Sequence, residues 1–179
     1  MQGRVAGFVG WDLNVPVGSM RDFTENVSPL GIELQFRGFV LPNLSLGLSG
    51  EFVTFLDDRP RTVYQLENAA VRATTYNHIQ TTSLRAMAHY YFLESGTVLP
   101  YVGPNIGINW SGFDAQAADL VFSDTPFSIT FGGELGAVFS FDSTGPLFVA
   151  NVRYSFAPAA EFRDVSDVQT VGLMLGVGI

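Results

Sequence analysis

The sequence predicts an all-β chain folded as an eight-stranded antiparallel up-and-down transmembrane β-barrel, and three observations carry that expectation. Eight segments alternate apolar with polar or small residues at period two, which places one set on each face of a strand. The links between those segments alternate long and short. And although 47% of the 179 residues are hydrophobic and 13% aromatic, no run approaches the roughly 18 to 20 apolar residues that a membrane-crossing helix needs. Residues 1–179 are read as a single barrel domain.

In the first segment Val5, Gly7, Val9, Trp11 and Leu13 alternate with Arg4, Ala6, Phe8, Gly10 and Asp12. The second sets Ile32, Leu34, Phe36 and Val40 against Glu33, Gln35 and Arg37, and the third sets Leu44, Leu46, Leu48 and Phe52 against Ser45, Gly47, Ser49 and Glu51. In the fourth, Leu84, Ala86, Ala88, Tyr90 and Phe92 oppose Ser83, Arg85, Met87, His89 and Tyr91. Val102, Ile106, Ile108 and Trp110 oppose Tyr101, Gly103, Asn105, Gly107 and Asn109 in the fifth. The sixth runs over 128–141 with Glu134 on its polar side, the seventh over 148–156 with Asn151, Arg153 and Ser155, and the last over 169–179.

Long links are expected at 14–30, 57–80, 111–126 and 157–168, and short ones at Pro42-Asn43, Glu94 to Thr97 and Asp142 to Gly145. Turn-forming residues fill the short set. Tight turns at one rim and long loops at the other are the plan of outer-membrane barrels, whose turns face the periplasm. An even strand number then puts both termini on the periplasmic side. Strands of ten to twelve residues, at about 3.3 Å per residue and a tilt near 40°, match an apolar band of about 25 Å. Closure follows because an open sheet edge in lipid leaves backbone groups unpaired. Trp11, Trp110, Tyr90 and Tyr154 fall on the outward face and suit the interfacial girdles.

The same alternation fits a soluble barrel with its apolar set turned inward around a ligand. Against that stand the Gly, Ser and Asn content of the polar set, the one-sided long links, and the cations. All nine are arginine, and no lysine occurs, whereas a water-facing surface ordinarily carries lysine. The absence of cysteine excludes disulfides and thiolate chemistry, and a net charge of −8 disfavours nucleic acid as a partner. Met1-Gln2-Gly3-Arg4 shows no export signal, so a mature form is expected.

Two segments carry a resemblance. Leu99-Pro100-Tyr101-Val102-Gly103-Pro104-Asn105-Ile106-Gly107 looks like the "PYVGxGxG" strand, and Phe131-Gly132-Gly133-Glu134-Leu135-Gly136 like the Gly-rich strand after it, both common in the small outer-membrane β-barrel superfamily of OmpA, OmpX and OmpW type. The resemblance covers the whole chain and implies a bacterial outer-membrane barrel inserted by the barrel-assembly machinery. The last strand resembles the signal that this machinery reads, but that signal ordinarily ends in an aromatic residue and here the last residue is Ile179. The peptidoglycan-anchoring role of longer relatives is not carried over.

The inward set holds the charged candidates: a lumen ion-pair network of Glu33, Arg37, Glu51, Arg85, His89, Glu134 and Arg153, with Arg4 and Asp12 on the same face. A two-residue turn at Ser143-Thr144 puts Glu134 opposite Arg153 and predicts an ion pair between them. In a lumen narrow enough to be packed by side chains, such charges are read first as structural filling, and second as a gate for water or small ions. No catalytic set is visible. Only His78 and His89 can serve as bases, His89 inward without a serine partner and His78 in a loop beside Thr81, Thr82 and Ser83, so the chain is not read as an enzyme. Asp114, Asp119 and Asp124 lack the spacing of a calcium loop; neither metal nor cofactor is expected. In the 57–80 link, Arg59, Arg61, Tyr64, Arg72 and Tyr76 form a mixed basic and aromatic set suited to a surface partner or to lipid phosphates. The expected role is structural or adhesive, through surface loops that meet outer-membrane lipids, lipopolysaccharide or a surface protein; a narrow channel is the alternative, and a lipid-modifying enzyme the second.

Overall fold

The structure is a computed structural model that describes residues 5–66, 69–117, 120–141, 145–162 and 165–179; the side chains of residues 22–23, 57–66, 69–77, 115–117, 120–124, 159–162 and 165 fall outside the description. The strands are β1 (Val5–Val17), β2 (Ser28–Leu41), β3 (Leu44–Leu66), β4 (Ala69–Tyr91), β5 (Val98–Ala117), β6 (Leu120–Asp124), β7 (Phe127–Ser140), β8 (Leu147–Phe162) and β9 (Val165–Gly178), with one helical turn, α1 (Met20–Phe23), after β1. Chain neighbours pair antiparallel around the ring, β5 with β7, and β1 closes on β9 through registers such as Trp11 with Leu175. Eight strands thus form a closed transmembrane barrel. β6 stands outside the ring, paired to the far end of β5.

The faces follow the period-two pattern. Ile32, Leu34 and Phe36 of β2 are half exposed, as are Leu46 and Leu48 of β3 and Ile129 and Leu135 of β7, while Glu33, Gln35 and Arg37, which alternate with the first three, are buried. An apolar belt of this size in water exceeds the patches that soluble monomers expose, so the belt faces lipid. Trp11, Trp110, Tyr90 and Tyr154 are all outward. The Trp11 indole N–H donates to the Pro29 carbonyl at 2.6 Å, and the Tyr154 hydroxyl donates to Gln169 Oε1 at 2.9 Å.

At one rim the connections are tight. Leu41 and Leu44 pair across Pro42-Asn43, a proline-preset turn, and the Asn43 carbonyl accepts the Tyr91 N–H at 2.8 Å. Gly96, between β4 and β5, sits at φ +138°, where a side chain is strained. Inside the barrel, Gly107 packs so closely on the Leu84 carbonyl of β4 that a Cβ there would collide with backbone.

At the opposite rim the structure corrects the sequence reading. The segments expected as long loops are largely strand. β3 and β4 run as one hairpin from the barrel out to Leu66 paired with Ala69, so 57–80 is no loop, and His78 lies on β4 opposite Asp114. β5 continues to Ala117 and turns back through β6, and β8 and β9 extend to a pair between Phe162 and Val165. The reason is physical. Outward alternation is enforced only where lipid touches the wall; beyond it, pairing continues with no apolar face to reveal it. The 23 residues of β3 make about 76 Å of strand at ~3.3 Å each, whereas a ~25 Å band crossed at a tilt near 40° uses about ten residues.

Candidate functional site: the charged lumen

Three layers fill the barrel. Nearest the tight turns is an apolar cluster that includes Phe8, Phe39, Tyr91, Leu99, Tyr101 and Met174. Toward the long hairpins a second cluster unites Met20, Val53, Phe55, Ile79, Phe113, Ala157 and Val168. Between them lies the charge. Glu33, Arg37, Glu51, Arg85, His89, Glu134 and Arg153 are all buried to 5% exposure or less, together with Asp12; Arg4 lies outside the described residues.

The second apolar layer is missing from the sequence reading, although its signal was present. Val53 and Phe55 continue the inward parity of Ser49 and Glu51, as Ala157 does for Arg153. Met20 arrives from α1, reached through Gly18 at φ +61°, and is fully buried. Its position is secured by Ser19, whose hydroxyl donates to Asp167 at 3.0 Å and accepts the backbone N–H groups of Ser166 and Asp167 at 3.2 Å.

Arg153 is the hub of the charged layer. Glu33 and Glu51 face each other directly across β2 and β3, an arrangement of like charges that destabilises a sheet unless something lies between them. Arg153 supplies it from the opposite wall. Its Nη1 donates to both Glu33 carboxylate oxygens at 2.7 Å, and its Nη2 donates to Asp12 Oδ2 and Glu51 Oε1, each at 2.7 Å. Arg85 donates to the other Glu51 oxygen, and Asn14 Nδ2 to Glu51 Oε1 at 3.3 Å.

Arg37 is held differently. Gln35 Oε1 accepts from its Nε at 3.0 Å, the Tyr91 hydroxyl from Nη1 at 3.1 Å and the Tyr101 hydroxyl from Nη2 at 2.7 Å. Its guanidinium carbon lies 4.4 Å from the Tyr101 ring centroid and 5.1 Å from that of Phe8, within cation–π range. The two halves join, because Gln35 Nε2 donates to Glu33 at 3.0 Å. Asn151 Nδ2 contacts both the Tyr101 hydroxyl and Glu134 at 3.2 Å. One polar chain therefore runs from Arg85 to Glu134, which ends against His89 Nε2 at 3.4 Å.

The expected contact between Glu134 and Arg153 is corrected. The two are in register across β7 and β8, but Arg153 spends its donors on Asp12, Glu33 and Glu51, and Glu134 meets His89. Register fixes where side chains start; a long arginine in a narrow, sheared lumen chooses partners across it. Tyr91 and Tyr101 were placed on the inward face by the sequence without a role, and Asp12 without a partner.

The surface candidates Arg59, Arg61, Tyr64, Arg72 and Tyr76 lie on the distal β3–β4 hairpin, with Arg59 in register with Thr75 and Arg72 with Val63; their side chains, and those of Asp119 and Asp124, lie outside the described residues. His78 Nδ1 stands 3.8 Å from Asp114 Oδ2, both partly exposed. Among the described residues no group of three or more His, Cys, Asp or Glu is placed to hold a metal.

No family model matches the sequence, and no curated protein sequence matches it. Solved structures do. The chain is similar to Neisserial surface protein A, at 15% identity and TM-score 0.64 over 98% of this chain and 94% of that one. It is similar to Ail, the attachment invasion locus protein of Yersinia pestis, at 15% identity and TM-score 0.59 over 99% and 98%. Outer membrane protein W of E. coli aligns at 16% identity and TM-score 0.52 over 99% and 97%. At these identities the likeness is one of fold: this chain has the fold of the small outer-membrane barrels.

Proposed function

We propose that the chain is an integral protein of a bacterial outer membrane whose barrel is a closed support and whose activity resides in the hairpins beyond it. The observation that carries this reading is the packed lumen. Among the described residues, apolar clusters lie on each side of a network of ion pairs, and the space lined by Glu51, Arg85, Val53 and Phe55 amounts to about 10 Å³, about the room of one water. A channel would need both layers to open.

By the plan of such barrels the tight turns and both termini face the periplasm and the hairpins face outward. The outward arm, β3 and β4 beyond Leu56 with the neighbouring ends of β5 and β6, is then the part that meets other molecules. Its sequence supplies Arg59, Arg61 and Arg72 with Tyr64 and Tyr76, a composition suited to anionic groups of a surface protein or of lipopolysaccharide, since arginine grips phosphate and carboxylate bidentately. Outer-membrane lipids and, during biogenesis, the barrel-assembly machinery are the remaining partners in this account.

The test exchanges residues 57–77 for a short turn, leaving Ile79 and its apolar layer in place. The expected result is a barrel that still shows heat-modifiable mobility on gels and no longer binds cells or lipopolysaccharide. Unchanged binding would remove the arm from the account.

A further inference from the structure

The link between β1 and β2 reaches into the barrel. In the apolar layer toward the hairpins, Val53, Phe55, Ile79, Phe113, Ala157 and Val168 stand on strands of the wall, whereas Met20 comes from this link. It is fully buried, although α1, which carries it, is only four residues long. Two tethers hold the link in place. Before Met20, the Ser19 hydroxyl donates to Asp167 Oδ1 at 3.0 Å and accepts the N–H groups of Ser166 and Asp167 at 3.2 Å, which fastens it to the outer end of β9. After it, the Asn26 amide donates to the Leu56 carbonyl of β3 at 3.1 Å, at the base of the arm. The link is thus slung between two of the hairpins that project from the barrel. Gly18, at φ +61° and packed against the Gln169 side chain, makes a bend that a residue with a side chain would strain to adopt.

We propose that residues 18–26 form a strap that shuts the outer mouth of the lumen, with Met20 as its stopper and the contact between Ser19 and Asp167 as its latch. Met20 is the part of the layer that can leave without moving a strand. The other six side chains stand on strands held by ladders of backbone hydrogen bonds, while a single helical turn has almost no stability of its own. Under this layer, Phe55 and Val168 border a space of about 10 Å³ whose other walls include Glu51, Ser83 and Arg85. Withdrawal of Met20 therefore opens the charged layer to the outside. The cluster around Phe8 and Tyr101 at the other end stays shut, so the result is access from one side and not a through-channel. The tethers make the strap responsive, because a displacement of the β8–β9 hairpin pulls on Ser19 and a displacement of the arm pulls on Asn26. Hinged segments of this kind are a common means of gating a closed site.

The chain contains no cysteine, so single thiol reporters in the full chain, refolded into detergent, test this directly. Ser83→Cys puts a thiol under the outer apolar layer and Ser45→Cys puts one near the tight turns, both at buried positions. Reaction with a small cationic methanethiosulfonate reads the access of water to each. With the strap intact both thiols should react slowly. Met20→Gly and Ser19→Ala should each raise the rate at the Ser83→Cys thiol by about tenfold or more, because labelling of a buried site follows the population of its open form, and leave the Ser45→Cys thiol unchanged. Ser19→Ala removes one hydroxyl and is the variant to rely on should Met20→Gly fail to fold. An unchanged rate in Ser19→Ala would remove the latch, an unchanged rate in Met20→Gly would remove the stopper, and an equal rise at both thiols would mean general loosening of the barrel; each overturns the proposal. None of these outcomes depends on what the outward arm binds.

Discussion

Arg153 and Arg37 are two arginines in one lumen, both buried, and they solve the same problem in opposite ways. Arg153 is surrounded by the carboxylates of Asp12, Glu33 and Glu51. Arg37 is surrounded by neutral acceptors and aromatic faces, Gln35, Tyr91, Tyr101 and Phe8. The first cation is needed by its neighbours, because without it Glu33 and Glu51 face each other unshielded. The second needs its neighbours, but they do not need it, since two tyrosines and a glutamine remain uncharged once it is gone. Burying a charge is costly unless it is paired, and the burden of that cost falls on different sides in the two cases.

The largest expected effect is therefore at the hub. Arg153→Met should destabilise the barrel by about 3–5 kcal/mol, the range for removing one partner of a buried ionic cluster, read as a shift in urea unfolding from lipid vesicles followed by tryptophan fluorescence. Adding Glu33→Gln to that variant should recover part of the loss, with a coupling of about 0.5–3 kcal/mol in the double-mutant cycle; additivity would mean that the two side chains do not interact. Arg37→Met should cost less, about 1–3 kcal/mol from hydrogen-bond partners left buried, and the contrast between the arginines collapses should it equal or exceed the hub variant. Smaller still is the rim: Trp11→Phe, which removes the bond to the Pro29 carbonyl, should cost about 1 kcal/mol in the same unfolding assay.

Much of this architecture was legible in the sequence. Period-two alternation placed Glu33, Arg37, Glu51, Arg85, His89, Glu134 and Arg153 on one face, because lipid enforces an apolar set on the other. Partner choice was not legible. Glu134 and Arg153 are in register, yet Arg153 binds residues 102 to 141 positions away in the chain, and nothing local in sequence records a contact across a lumen. The extent of the strands was hidden for a related reason. Past Leu56 the alternation lapses in the sequence while hydrogen bonding between β3 and β4 continues. The apolar layer of Val53, Phe55, Ile79 and Phe113 was lost at that boundary, although Val53 and Phe55 keep the parity of Glu51.

The closed lumen is the central claim, and single-channel recording of the refolded chain in planar bilayers tests it most directly. A lumen packed in this way predicts no discrete conductance across the range of applied voltage. Reproducible current steps that change size in Glu51→Gln would contradict it, and would make the inward arginines and glutamates the lining of a pore.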